Sequence, residues 1–118
     1  MTYFKPDEFK CSCGCGKGYS DMQVDLLYRL DIARRRADIP FKLTSAMRCI
    51  TYNLSIGGRP DSAHRYGWAV DIACVDSRYR FKIVEGLIYA GFNRIGIASS
   101  FIHADCDPNK PQDVIWTY

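Results

Sequence analysis

No run of about eighteen apolar residues occurs anywhere in the 118-residue chain, so the sequence offers no transmembrane helix. The opening stretch Met1-Thr2-Tyr3-Phe4-Lys5-Pro6 also lacks the apolar core of a signal peptide. Synthesis in the cytoplasm without a leader is therefore expected, with release or export needed for any action outside. Charge of one sign is scarce: 16 basic against 13 acidic residues leave a net of +3. Arg34-Arg35-Arg36 is the longest basic block and reads as a solvated helix face, so nucleic acid is not an expected partner. Internal repeats, low-complexity segments and linkers are missing too, which points to one domain over residues 1–118, expected to be a monomer.

Against those absences stand a hydrophobic content of 47% and an aromatic content of 14%, enough to fill a single core. Six cysteines are many for so short a chain: Cys11, Cys13, Cys15, Cys49, Cys74 and Cys106. Without a leader, an obligatory disulfide framework is not expected. The C-x-C-x-C run Cys11–Cys15 is tighter than the spacing of ordinary zinc knuckles. A second metal, buried thiols and partial oxidation after release all stay open for it.

Residues 1–20 read as an irregular, glycine-punctuated, cysteine-rich arm. Asp21 is the expected N-cap of a helix running through Arg36, with Val24, Leu27, Leu30, Ile32 and Ala33 as its apolar stripe. Ile39-Pro40 ends it, and Phe41–Ser45 alternates like a strand. Residues 46–63 read as loop with one helical turn near Thr51–Leu54. Trp68–Val75 reads as a central strand. Ser77 is the expected cap of a second helix, with Phe81, Val84, Leu87 and Ile88 inward and Gly91 at its end. Three strand candidates follow: Arg94–Ile97, Phe101–Asp105 and Val114–Tyr118. This order predicts an α+β fold with two principal helices and a small, mainly antiparallel sheet.

Only two histidines are present, His64 and His103. Asp71 lies seven residues after His64, with Gly67 between them to take a turn. Two imidazoles and a carboxylate suit a catalytic zinc, because three such ligands leave the fourth tetrahedral position open for water. A water there becomes a nucleophile near neutral pH, while the metal polarises a carbonyl. Spacing alone leaves the plainer alternative open, two histidines buried and bonded to backbone.

The stretch from Phe41 to Asp105 resembles the M15 family of zinc peptidases, the D-alanyl-D-alanine carboxypeptidase and phage endolysin group related to the hedgehog fold. Its S-x-H-x-x-G-x-A-x-D signature is matched by Ser62, His64, Gly67, Ala69 and Asp71. Thr44-Ser45-Ala46-Met47-Arg48-Cys49, Asn53 and Gly57-Gly58 are similar to the family's upstream stretch. Gly96 and Phe101-Ile102-His103-Ala104-Asp105 resemble its final element, and Trp116–Tyr118 its terminal strand. The cysteine-rich arm from Phe9 to Cys13 is similar to one branch of phage and bacterial members.

The resemblance implies one zinc held by His64, Asp71 and His103, and a peptide of the peptidoglycan stem or cross-link as substrate. It places Arg48 on a substrate carboxylate or carbonyl, a task that suits a planar guanidinium. Ser62 is a candidate for bonding the site or the scissile carbonyl, or for holding its own turn. Where many relatives carry an acid, three residues before the last histidine, this chain has Ser100. Serine cannot accept a proton from water at useful pH. Asp105 becomes the candidate general base, since residues i and i+2 of a strand share a face; its alternative is to orient His103. Ser100 also motivates a rival expectation, a zinc-bearing module that binds a wall or a protein without turnover. The mild positive charge suits approach to an anionic polymer such as a cell wall, and the missing leader suits a phage or prophage origin.

Overall fold

The computed structural model describes residues 1–118. Its elements are α1 (Val24–Ala37), β1 (Leu43–Ser45), α2 (Ile50–Ser55), β2 (Ala69–Ala73), α3 (Ser77–Tyr89), β3 (Arg94–Ile97), β4 (Phe101–Asp105) and β5 (Val114–Thr117). Short 3-10 turns lie at Pro6–Phe9, Tyr19–Asp21 and Ala63–Tyr66. The α+β class is as expected, but the sheet is mixed. Its five strands run in the order β1-β2-β4-β3-β5, with three antiparallel pairings and β5 parallel to β3. None of the helices is long and apolar enough to cross a membrane.

Alternation along the strands separates two faces. Val70, Ile72, Ile95, Ile102 and Ala104 point into the core, where Leu26, Leu27, Leu30 and Ala33 of α1 and Ile83 and Leu87 of α3 cover them. Replacing a fully buried residue such as Leu30 by alanine would cost about 2–5 kcal/mol. The opposite face carries polar residues in register. One row crosses the whole sheet: Ser45 beside Asp71, Asp71 beside His103, His103 beside Gly96, and Gly96 beside Trp116. The next row sets Ala69 beside Asp105 and Asp105 beside Arg94. One strand face thus gathers the chemistry while its reverse anchors the fold.

Several local expectations are corrected. Asp21 does not cap α1; its Oδ2 accepts the Gly18 amide at 2.9 Å inside a 3-10 turn, and the helix starts after Gln23. Asp76, not Ser77, caps α3, accepting the Arg78 and Tyr79 amides at 2.7 and 3.3 Å. On α3, Leu87 is buried as expected, with Ile83 and Gly86, and Val84 packs half-buried against the core, while Phe81 and Ile88 are 73% and 54% exposed. At Gly86 a Cβ would stand 2.7 Å from the Ala33 carbonyl, so α3 turns its small residue to α1 and lets the two helices approach. The expected turn near residue 51 is a short helix, α2. The N-terminal arm is irregular as expected, apart from its two 3-10 turns, and it packs: Phe4 and Phe9 are buried in the same core cluster as the helices.

Candidate metal centre

His64 reaches the polar face from outside the sheet. It sits in the 3-10 turn Ala63–Tyr66, whose N-cap Ser62 accepts the His64 amide with Oγ at 3.3 Å. Gly67 closes that turn with φ of 75°, and a Cβ there would lie 2.4 Å from the Asp21 carbonyl. Only glycine meets both demands. The His64 ring is fixed by its Nδ1–H, which donates to the Ala46 carbonyl at 2.8 Å. A carbonyl only accepts, so this bond sets the tautomer and leaves Nε2 with a free lone pair.

His64 Nε2 lies 3.3 Å from Asp71 Oδ1, and His103 Nδ1 lies 3.0 Å from the same oxygen. The three donor atoms fall within 4.8 Å of one another, and all three residues are buried. Metal bonds of about 2.0–2.1 Å at tetrahedral angles would space such donors about 3.3 Å apart. The donor chemistry and the spacing both fit a zinc-type cation. His103 Nε2–H, on the far side of its ring, donates to Asp105 Oδ2 at 2.7 Å, as the outward nitrogen of a metal-ligating histidine does.

A shell of partners holds the carboxylates. Arg48 donates from Nη2 to Asp71 Oδ2 at 3.3 Å, from Nε to Ser45 Oγ at 3.0 Å and from Nη1 to Asn53 Oδ1 at 3.3 Å. Asn53 is fully buried, and Gly58 packs against it so tightly that a Cβ would stand 2.1 Å from its Oδ1. Asp105 is 1% exposed and accepts on Oδ1 from Arg94 Nε at 2.8 Å and from the Asp107 amide at 3.1 Å. Trp116 lies over Gly96, with its ring 5.5 Å from that of His103 and the Arg94 guanidinium 5.2 Å from the indole centre. At Gly96 a Cβ would come 2.5 Å from Trp116 Nε1, so the missing side chain makes room for the indole.

The electrostatics divide the two histidines. Burial pushes His64 toward its neutral form and outweighs the pull of Asp71. Burial acts the same way on His103, but hydrogen bonds to Asp105 and Asp71 outweigh it and raise that pKa. Burial opposes ionisation of Asp71 and Asp105, yet the histidine contacts hold both below the usual carboxylate range, Arg94 and the Asp107 amide aiding Asp105.

The centre opens into a cleft of about 1120 Å³ whose walls include Arg48, Ser62, Arg94, Trp116 and Tyr118. Ser100 is not part of that wall. It lies exposed on the β3–β4 turn, its carbonyl accepting the Cys74 amide at 2.9 Å. Arg94 was not singled out from the sequence; only the strand register puts it beside Asp105. Cys74 and Cys106 lie apart from the cleft, and burial pushes the Cys106 thiol up to about 12. None of the six cysteines is paired in a disulfide.

A buried pair of imidazoles and a carboxylate at the floor of an open cleft defines the class: a centre suited to one catalytic metal and hydrolytic chemistry. The chain belongs to the peptidase M15 family, whose family model matches residues 2–105. A comparison with curated proteins gave no match.

Proposed function

We propose that the chain is a zinc metallopeptidase that hydrolyses a peptide bond in the stem or cross-link peptides of peptidoglycan. The observation that carries the reading is the convergence of His64 Nε2, Asp71 Oδ1 and His103 Nδ1 at the floor of the cleft. A zinc ion held by these atoms supplies a Lewis acid that polarises the scissile carbonyl and acidifies an attacking water.

The chain's own residues do the rest. Ala46 and Asp105 lock the two imidazoles from behind, so both present lone pairs without reorganisation. Arg48 steadies Asp71 and, from the cleft wall, offers its remaining N–H groups to a substrate carbonyl or carboxylate. Ser62 holds the His64 turn and also lines the cleft, where its hydroxyl can donate to the same carbonyl. Asp105 was open to two roles, proton acceptor or support for His103. Both its oxygens are engaged by Arg94, the Asp107 amide and His103, which supports the second.

The reading extends to a single peptidase domain over residues 1–118 with the hedgehog and D-Ala-D-Ala-peptidase architecture. It acts as a monomer on the cell wall after release or export, from a phage or prophage source. One observation favours a second reading, a zinc-bearing wall-binding module. Ser100 lies outside the cleft and both oxygens of Asp105 are engaged, so neither position considered for the proton acceptor offers a free carboxylate.

Purified muropeptides incubated with the zinc-loaded protein separate the two. Release of a peptide or of D-alanine, read by mass and lost in Asp71→Ala, supports the peptidase and identifies the bond. Tight retention of intact muropeptides with no product supports the module.

A further inference from the structure

The metal-centre reading leaves four cysteines without a role. Cys11, Cys13 and Cys15 come from the N-terminal arm, and Cys49 from the residue just before α2. Their four sulfurs nonetheless lie within 4.8 Å of one another. Cys13 Sγ is 3.5 Å from Cys11 Sγ and 3.6 Å from Cys49 Sγ. We propose that these four thiols form a second metal site, a closed tetrahedral set for a zinc ion, that ties the arm to the wall of the first centre. This inference does not depend on the peptidase reading.

Geometry separates the site from a disulfide pair. A disulfide joins sulfurs two by two at about 2.05 Å. Four thiolates around zinc, with bonds of about 2.3 Å, stand about 3.8 Å apart along every edge of a tetrahedron. Here one sulfur, that of Cys13, has two neighbours at nearly equal, non-bonded distances, and the fourth lies in the same cluster.

The backbone is shaped for this convergence. Gly14 and Gly16 alternate with the cysteines at φ of 79° and 96°. Neither has an atom within 4 Å of a notional Cβ, so conformation rather than space calls for glycine there. Those two left-handed residues curl the chain so that three thiols, each two residues apart, face one point. The curl is closed by the Cys11 amide donating to the Lys17 carbonyl at 2.9 Å and the Gly14 amide donating to the Cys11 carbonyl at 3.1 Å. Two further amides aim at sulfur: that of Cys49 at Cys11 Sγ, 3.4 Å, and that of Tyr52 at Cys49 Sγ, 3.3 Å. Amide donors of this kind stabilise thiolates over thiols.

Chemistry then selects the occupant. An all-sulfur, four-coordinate set favours a borderline-soft ion such as zinc over magnesium or calcium. With four protein ligands no position stays open for water, so the site is structural, not catalytic. Loading it releases the thiol protons, and no oxidant or reductant is needed.

The location gives the site a purpose. Cys49 directly follows Arg48, which holds Asp71. The same segment supplies the Ala46 carbonyl that fixes His64, and its Met47 amide donates to the Phe9 carbonyl of the arm at 3.2 Å. An ion clamping Cys49 to the arm braces both Arg48 and Ala46.

The test is metal content and cobalt spectroscopy on full-length protein prepared with reductant and without chelator. Wild type should hold about two zinc ions per chain, and Cys13→Ser/Cys15→Ser, altered at two exposed positions, about one. Cobalt-loaded wild type should show the intense near-ultraviolet absorption of thiolate-to-cobalt charge transfer. That absorption should vanish in Cys13→Ser/Cys15→Ser and persist in His64→Ala/His103→Ala. Equal zinc content in reduced wild type and Cys13→Ser/Cys15→Ser would overturn the proposal, whatever the first centre holds. So would a cobalt spectrum that Cys13→Ser/Cys15→Ser leaves unchanged, or cysteines that react with a thiol reagent as fast in zinc-loaded as in metal-free protein.

Discussion

Asp105→Asn isolates the support of His103 with almost no change in volume. Three donors meet the Asp105 carboxylate: Arg94 Nε at 2.8 Å, the Asp107 amide at 3.1 Å and His103 Nε2 at 2.7 Å. Asparagine has one oxygen for the three. If that oxygen stays on Arg94 and the Asp107 amide, the new NH2 faces His103 Nε2, and two donors meet. Relief comes by moving the imidazole proton to Nδ1, the atom proposed to hold the metal. Loss of such an outer partner weakens metal affinity about 10–100-fold, or about 1.4–2.8 kcal/mol. The side chain of Arg94, only 11% exposed, loses its counter-charge as well, so unfolding stability should drop by about 3 kcal/mol, the low end for breaking a buried pair. Zinc competition against a chromophoric chelator measures the first effect. A Cys13→Ser/Cys15→Ser background confines the titration to the His–Asp–His set, and denaturant unfolding measures the second effect. A variant that binds zinc as tightly as its parent while losing turnover would refute this reasoning and return Asp105 to the role of general base.

Gly96→Ala places a Cβ 2.5 Å from Trp116 Nε1, so the indole must leave its seat between His103 and Arg94. Denaturant unfolding should show a loss of about 1–3 kcal/mol, with a shifted tryptophan emission; unchanged values would contradict it. Arg48→Lys keeps the charge but cannot serve Ser45, Asn53 and Asp71 together. Stability should fall by about 1.5–3 kcal/mol and zinc affinity with it, by the same two assays. The raised pKa of metal-free His103 gives a pH dependence. Protonated His103 stabilises the apo fold fully below the unfolded value of about 6.5, and that contribution is lost as pH rises through the higher folded value. Zinc needs the same Nδ1 without its proton, so zinc affinity should climb with pH across this window. Affinity that stays flat from about pH 6 to 8 would contradict it.

How much of this was legible in the sequence depended on range. His64, Gly67 and Asp71 sit within eight positions of one another, but that spacing is equally that of two buried histidines, and it was the resemblance to the M15 signature that singled them out with His103. Arg94–Ile97 and Phe101–Asp105 were bounded correctly, because period-two alternation and the intervening serines mark them locally. Register was not legible. Period two assigns Asp105 and Arg94 to faces of their strands, but nothing local says that they pair, or that Trp116 lies over Gly96. The parallel pairing of β5 with β3 is likewise set by where the segment after β4 lands on the sheet. The helix errors lie in the apolar stripes and the caps. Val24 and Phe81 look like stripe residues, yet α1 buries the face of Leu26, Leu27, Leu30, Ala33 and Ala37 and α3 that of Ile83, Gly86 and Leu87, so Val24 ends 78% and Phe81 73% exposed. Capping was misassigned at both helices: Asp76 stands next to Ser77 and takes its role, while Asp21 is bonded to the Gly18 amide and α1 starts after Gln23 without a side-chain cap.

Folding thus converts a sparse sequence signal into a dense site. Two histidines and one aspartate become a buried donor set only because adjacent strands bring Asp71 beside His103 and a glycine-closed turn brings His64 over both. Every further partner serves those three: Ala46 and Asp105 on the rings, Arg48 on the carboxylate, Arg94 on Asp105.

The most direct test of the central claim is peptide release from purified cell walls by one preparation assayed as purified, after chelation and after zinc is restored. Release that stops on chelation, returns with zinc, and stays absent throughout in Asp71→Ala is the predicted result. Full release by the chelated protein, or by Asp71→Ala, would contradict a hydrolytic zinc at His64, Asp71 and His103.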